Sequence, residues 1–333
     1  MRIEALAAPV RGAPLEPFAY DAPDLGLFGC LVEVHACGVC RSDLHMIDDD
    51  WRQSRYPLVP GHEVVGIVRE VGPQVTHLAA GQRVGVGWQR SACLACTDCL
   101  RGDENLCAEA RSLIGHGHGG FASHVVVDAR FAFRLPDAIP TEVAGPLLCG
   151  GATVYSALRA AGAGGGREVG VVGLGGLGHL AVQFAARLGD RVTVFTGSPD
   201  KAAAAEALGA ARAVVVREGR PGPLDRPLDV LLSTAPAPLD WNAFLAALAT
   251  GGTLSFVAAA GAVPIRPDLL MFRRRKVTGS LIGSRAEIVE MLDLAARLGV
   301  RPVVEAFPLA EANEALRRVR ENRVRHRAVL RVR

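Results

Sequence analysis

Lysine is almost missing from this chain. Of 37 cationic side chains only Lys201 and Lys276 are lysines, and against 34 acidic residues the formal net charge is +3. So near a balance leaves no basic excess for a nucleic-acid partner. The block Arg273-Arg274-Arg275-Lys276 stands beside an apolar stretch, where a short cationic run reads as a solvated turn. Long apolar runs are missing too. The most apolar stretch is cut by glycines, His179 and Gln183, and the opening MRIEALAAPVRGAP has no continuous apolar region, so neither a membrane span nor a secretory leader is expected. The expectation is a soluble cytoplasmic protein. Half of the 333 residues are apolar, which excludes general disorder and allows two domains.

Eight cysteines are present, and four of them, Cys93, Cys96, Cys99 and Cys107, follow the spacing C-x2-C-x2-C-x7-C. In a chain without a leader this crowding favours metal over disulfides. Four thiolates close a tetrahedral shell around zinc, with a local charge of about −2 and no open position, so the lobe 93–107 is expected to be structural. A nucleic-acid zinc knuckle would need a basic, aromatic surround, and aromatics make up only 5% of the chain.

Residues 28 to about 135 alternate β-like runs with Gly/Pro turns, as in Leu31–Val34, Val64–Val68 and Arg83–Val86. From about Gly150 short apolar strands alternate with Ala-rich helical segments, the signature of βαβ units and a parallel sheet. The expected strands there are 168–172, 191–195, 230–232, 252–257 and 277–282. The expected helices are 176–188, 200–208 and 241–248, followed by 286–298 and 310–320 and a closing strand 327–332.

Between the first of those strands and its helix lies Gly173-Leu174-Gly175-Gly176-Leu177-Gly178. Gly173, Gly175, Gly176, Leu177 and Gly178 form a turn whose backbone can approach a pyrophosphate at a helix N-terminus, so this is read as a dinucleotide site. The next strand ends in Thr196-Gly197-Ser198-Pro199-Asp200-Lys201. Asp190 precedes that strand and Asp200 opens the next helix, so no carboxylate sits at its tip to hold a ribose as in NAD sites. Thr196, Ser198 and Lys201 would instead accept a 2′-phosphate, which favours NADP(H) over NAD(H).

A catalytic zinc needs three protein ligands and one open place. Cys40 in ACGVCRSDLH, His62 in GHEVVG and Cys149 in PLLCGG offer such a set, although spacing alone does not single them out.

Taken together, CGVCRSDLH, PLVPGHEVVG, the four-cysteine lobe, PLLCGGATVYSAL and GLGGLG resemble, in content and order, the zinc-dependent medium-chain alcohol dehydrogenase superfamily. The likeness runs from about residue 28 to the C-terminus. TGSPDK, LDWNAFLAAL and GSLIGS are similar to its cinnamyl-alcohol-dehydrogenase branch, above all to bacterial NADPH-dependent broad-range aldehyde reductases. The resemblance implies an α/β chain with a GroES-like β-rich catalytic domain, residues 1–149 and 285–333, and a Rossmann cofactor domain, residues 150–284, with the active site in the cleft between them.

It further implies Cys40, His62 and Cys149 as ligands of a catalytic zinc, Cys37 remaining structural. Glu63 corresponds to a carboxylate that approaches the zinc during ligand exchange, and Asp43 to the partner of the ligating histidine. Ser42 and His45 correspond to a proton relay, Arg41 to a cofactor contact, and Trp51 and Trp88 to the walls of an apolar substrate pocket. A cysteine at 149, where polyol dehydrogenases carry glutamate, favours simple alcohols and aldehydes. A homodimer or homotetramer follows by the same likeness. Two other readings are carried forward: an NAD-linked enzyme of the same fold, and a non-catalytic zinc- and nucleotide-binding protein. The completeness of the ligand and relay set speaks against the latter. Asp48-Asp49-Asp50 and the histidines of GHGHGG, His116 and His118, read as solvated loop residues, and Cys30 as a small buried hydrophobe.

Overall fold

The computed structural model describes residues 1–258 and 261–333, so residues 259 and 260 of the expected cofactor domain lie outside it. The chain divides into two compact units, one of Met1–Cys149, Ser284–Arg297 and Arg301–Arg333, the other of Gly150–Gly283 with Leu298–Val300.

In the first unit the strand Gly29–Val39 is the organiser. Its sequence GCLVEVHACGV does not alternate, and every position but His35 is buried, as for a strand covered on both faces. It pairs antiparallel with Val64–Val71, His124–Asp128 and Arg327–Arg331. The seven-stranded sheet runs from Val304–Pro308 through Arg327–Arg331, Gly29–Val39, Val64–Val71 and Arg83–Val86 to Ala132–Arg134, with His124–Asp128 off this path against Gly29–Val39. Phe121, Phe131, Val32 and Leu58 fill its core. A hairpin of Arg2–Ala7 with Glu16–Asp21 lies ahead of residue 28, where the β pattern was expected to begin. Its strands are joined by residues 8–15 and so lack the two-residue turn that marks a hairpin in sequence.

The second unit holds six parallel strands in the order Arg212–Val215, Arg191–Thr196, Glu168–Val172, Leu228–Ser233, Leu248–Phe256, Lys276–Gly279. In chain order this is 3-2-1-4-5-6, the doubly wound dinucleotide-binding arrangement. Three local expectations shift. Leu248 opens a strand, paired with Leu228, where the apolar pattern had placed it at a helix end. The strand expected over 277–282 stops at Gly279, and Ile282 beyond it has φ 44°, a left-handed conformation that a β-branched residue adopts only at a cost. Arg275 is no solvated charge: its guanidinium donates to Ala246 O at 3.0 Å and Leu248 O at 2.7 Å, closing the helix Trp241–Ala246 at its C-terminal end. Among the described residues no helix is long and apolar enough to cross a membrane.

Arg275 bridges a helix end to a strand start while Arg274 is exposed. Arg275→Met is therefore expected to lower the thermal unfolding midpoint by about 2–4 °C, with Arg274→Met within about a degree of the parent, read by circular dichroism.

Candidate active site

Cys40 sits where the strand Gly29–Val39 gives way to the helix Arg41–Ile47, and its extended backbone (φ −116°, ψ 160°) makes it the N-cap. Asp43 Oδ2 accepts the Cys40 N–H at 2.8 Å. The other oxygen, Oδ1, accepts Gly61 N and His62 Nδ1, each at 2.9 Å. Asp43 and His62 are both fully buried. With Nδ1 bound to Asp43, His62 turns Nε2 toward Cys149 Sγ, 3.3 Å away. Cys149 follows the short 3-10 helix Gly145–Leu148.

Glu63 enters this cluster because residue 38 is glycine: a Cβ there would lie 1.9 Å from Glu63 Oε2. One Glu63 oxygen pairs with Arg327 Nη2, while Oε2 is buried without any hydrogen-bond partner. The donor atoms of Cys40, His62, Glu63 and Cys149 all lie within 4.8 Å of one another. Two thiols, an imidazole and a carboxylate fit a divalent zinc ion. The hydrogen bond from Cys149 holds the Cys40 thiol well below its usual pKa against burial, with Arg327 and His62 adding to it, while the same bond and burial push Cys149 up. Burial would lower His62, but the charge and hydrogen bond of Asp43 and the neighbouring Cys40 outweigh it and push His62 up to about 10. A cation binding here therefore displaces protons.

The second sulfur cluster, Cys93, Cys96, Cys99 and Cys107, also gathers its donor atoms within 4.8 Å. Leu94 at φ 57° turns the chain between the first two. Backbone N–H groups of Ala95 and Cys96 pull Cys93 down to about 7, which favours a thiolate ready for metal. Glu104, buried in this lobe, accepts the Arg285 backbone N–H at 2.8 Å and Nε at 2.6 Å. The lobe is thereby tied to the start of the helix Arg285–Leu298.

In the second unit the glycine turn follows the strand Glu168–Val172 and leads into the helix Gly178–Arg187. A Cβ on Gly178 would stand 2.0 Å from Gly173 O, whereas one on Gly175 would meet nothing within 4 Å. The first glycine is needed for helix–strand contact, the second for open backbone that a phosphate can approach. Gly176 and Leu177 complete the turn. At the tip of the next strand Thr196 is buried, with Oγ1 donating to Ser198 O at 3.3 Å and accepting Ser198 N at 3.2 Å. Its hydroxyl shapes the turn, while Ser198 is partly exposed and Lys201 exposed. Asp190 accepts Gly164 N at 2.7 Å and Arg167 N at 3.0 Å, so it is committed elsewhere.

Comparison with known proteins agrees with both halves. Residues 29–137 match the family model of the alcohol dehydrogenase GroES-like domain and residues 176–297 that of zinc-binding dehydrogenases. An aldehyde reductase of Synechocystis is 40% identical over 98% of each chain. The chain belongs to the zinc-binding alcohol dehydrogenase family. Among solved structures, a cinnamyl alcohol dehydrogenase from Sorghum bicolor is 35% identical with TM-score 0.92, covering 100% of this chain and 98% of that one. A cinnamyl-type enzyme from Helicobacter pylori, solved with NADP(H), is 28% identical with TM-score 0.92 over 99% and 98%. As a family member this alcohol dehydrogenase is an oxidoreductase acting between alcohols and aldehydes.

Around the cluster the remaining expected residues gather. Ser42 Oγ is 3.7 Å from Cys40 Sγ, and His45 is partly exposed with Nδ1 2.7 Å from Asp50 Oδ2. Rings run in a chain: His45 to Trp51 at 5.1 Å, Trp51 to Trp88 at 5.7 Å, Trp88 to His62 at 5.1 Å. The tryptophans thus form a wall beside the cluster, with Trp51 41% exposed. Arg41 extends from the same helix and donates to Asn322 Oδ1 at 2.8 Å.

The aspartate triplet is not merely solvated. Asp48 takes Arg320 at 2.6 and 3.0 Å, Asp49 accepts the N–H groups of Gln53 and Ser54 at 2.9 and 3.0 Å, and Asp50 holds His45. Nor is His118 a solvated loop residue, for its ring lies 3.9 Å from that of Tyr20 and burial lowers its pKa. His116 stays at the surface. Cys30 and Cys37 are buried, as expected. Two site residues escaped the sequence reading, Asp50 and Arg327. Arg327 lies 264 positions from Glu63 and arrives only because Ala328 pairs with Val39; its one local sign is a charge opening the apolar strand RAVLR.

Both sulfur clusters should bind metal. Metal analysis of purified protein is expected to give two zinc ions per chain, one for each cluster. Cys149→Ala should retain one, with the fold intact by circular dichroism, and Arg327→Met should weaken the catalytic ion by about 10–100-fold in chelator competition.

Proposed function

We propose that this enzyme is an NADPH-dependent aldehyde reductase of broad range, reversibly converting aldehydes to primary alcohols, with the zinc cluster in the first unit and the nucleotide site in the second. Cys40, His62 and Cys149 would hold the catalytic zinc, with Glu63 as an exchangeable fourth donor, and the four-cysteine lobe a structural one. Zinc supplies polarisation of a carbonyl and a lowered alcohol pKa, and the nicotinamide supplies the hydride.

The chain's own residues do the rest. Asp43 fixes the tautomer and angle of His62 while capping the helix that carries the relay, so ligand and relay share one anchor. Ser42 stands beside the cluster to hand a proton to the reduced oxygen, and His45, open to solvent, replaces it. Asp50 holds Nδ1 of His45, leaving Nε2 for the transfer. Trp51 and Trp88 exclude water and favour apolar substrate bodies.

The observation that carries the reading is the gathering of two thiols, an imidazole and a Glu63 carboxylate oxygen within 4.8 Å of one another, in a residue whose Oε2 is buried without a hydrogen-bond partner. The NADP preference rests on a second-strand tip with Ser198 and Lys201 and no carboxylate, and on the NADP(H) named for the Helicobacter enzyme. A homodimer or homotetramer is supported by the exposed edge strand Lys276–Gly279 with Met271, Phe272 and Leu281 exposed near it, a ready surface for a second copy. Eight free thiols suit a reducing cytoplasm.

In steady-state assays with an aldehyde panel, kcat/KM with NADPH should exceed that with NADH, and Ser198→Asp should reverse the order. Better use of NADH by the unaltered protein would establish the NAD-linked reading instead. His45→Gln is expected to cut kcat by about 10²-fold or more. Asp50→Asn should cost less and shift the pH profile of kcat/KM, since it only loosens the histidine.

A further inference from the structure

The loop from Arg111 to His118 meets the tryptophan wall. Leu113 N donates to Trp88 O at 2.7 Å. A Cβ on Gly115 would lie 3.3 Å from Met46 Cε and 3.9 Å from Gln53 O, so the loop lies between Trp88 and the turn that carries Trp51.

On this loop His116 is held in place. Its Nδ1 accepts the Ser112 N–H at 3.3 Å, and its carbonyl accepts Arg90 Nη1 at 2.9 Å. Burial, then the charges of Arg111, Arg55 and Arg90, keep its imidazole below the usual pKa. Arg111 opens the loop in register with Ser91, Arg90 bonds the His116 carbonyl, and Arg55 follows two residues after Gln53, whose carbonyl faces Gly115, so three arginines from three segments meet at one loop. Arg90 is engaged by the carbonyls of His116 and Val126 and faces Tyr20 and Asp128, but Asp128 already chelates Arg130 at 2.8 and 2.5 Å. Arg55 and Arg111 are exposed, and among the described residues their side chains form no ion pair or hydrogen bond. Unneutralised cations at the edge of an apolar wall attract anions, and guanidinium binds a carboxylate through paired N–H donors.

We propose that Arg55 and Arg111, set about the His116 loop, form a cationic rim that binds the anionic end of the substrate, so that the enzyme prefers aldehydes and alcohols carrying a carboxylate remote from the reacting carbon. This rests on the aldehyde-reductase reading and refines its substrate class. The redox chemistry is unchanged: one hydride and one proton add across the carbonyl. The tryptophans hold the apolar spacer, while the rim holds the charge.

The test uses the zinc-loaded protein and two readouts. The first is quenching of tryptophan fluorescence by ω-hydroxycaproate and by its methyl ester. The second is kcat/KM for succinic, glutaric and adipic semialdehydes against their methyl esters. The acid is expected to bind about tenfold tighter than its ester at low salt, with the advantage falling as salt screens the rim. For at least one chain length the semialdehyde should be favoured by a similar ratio, mainly through KM. In the double variant Arg55→Met/Arg111→Met both ratios should fall to about one, and Arg111→Glu should drive them lower. Both side chains are exposed, so folding is not at stake; Arg90, which bonds two carbonyls, is left untouched.

Equal affinity for acid and ester, no binding of either, or a preference that survives in the double variant overturns the proposal. If no aldehyde is reduced while the acid still binds through the two arginines, the assigned reaction fails and the rim stands.

Discussion

One buried carboxylate holds the site together. Asp43 satisfies the first free N–H of a helix, the N–H that opens the GHE turn and the imidazole of His62. A charge with no exposed surface is tolerable only when its oxygens are fully engaged. All three donors are needed, so three chain segments are drawn to one point. Cys40 is the residue that the capped helix starts from, and Ser42 and His45 ride on the same helix. Ligand geometry and the geometry of the proposed relay thus follow from one local constraint.

Around that anchor the charges are arranged in opposition. Arg327 engages one oxygen of Glu63 and stands 3.9 Å from Cys40 Sγ, so a cation already serves the cluster from one side. The other Glu63 oxygen is left bare. A half-satisfied buried carboxylate is costly by itself, and a metal among the sulfurs is what removes that cost. The four-cysteine lobe differs in its donors, which are four sulfurs, and Glu104 fastens it to the helix beginning at Arg285.

The motifs were legible in sequence because their chemistry is local. Four cysteines within a short lobe bring their sulfurs together almost by chain length alone, and a glycine turn between an apolar strand and a helix has few other uses. The parallel order of the second unit follows from strand–helix alternation, since each crossover is constrained in hand and length. Less was legible where a residue's role depends on a distant partner. Asp50 looked like one of three solvated acids until the turn aimed it at His45. Thr196 offered a hydroxyl at the strand tip, and that hydroxyl also bonds its own turn. Arg275 looked like part of a charge block, but its guanidinium ends a helix and begins a strand.

By itself the sequence determined the fold class, the two sulfur clusters and the nucleotide turn, because apolar periodicity and short-range spacing act over distances the chain spans within a few residues. Only the tertiary structure decided that Arg327 meets Glu63, that Trp51 and Trp88 share one wall with His62, and that Arg55, Arg90 and Arg111 converge on His116. Those encounters depend on strand register and on how loops cross the sheet, and electrostatic contact between residues tens or hundreds of positions apart leaves no mark in local composition.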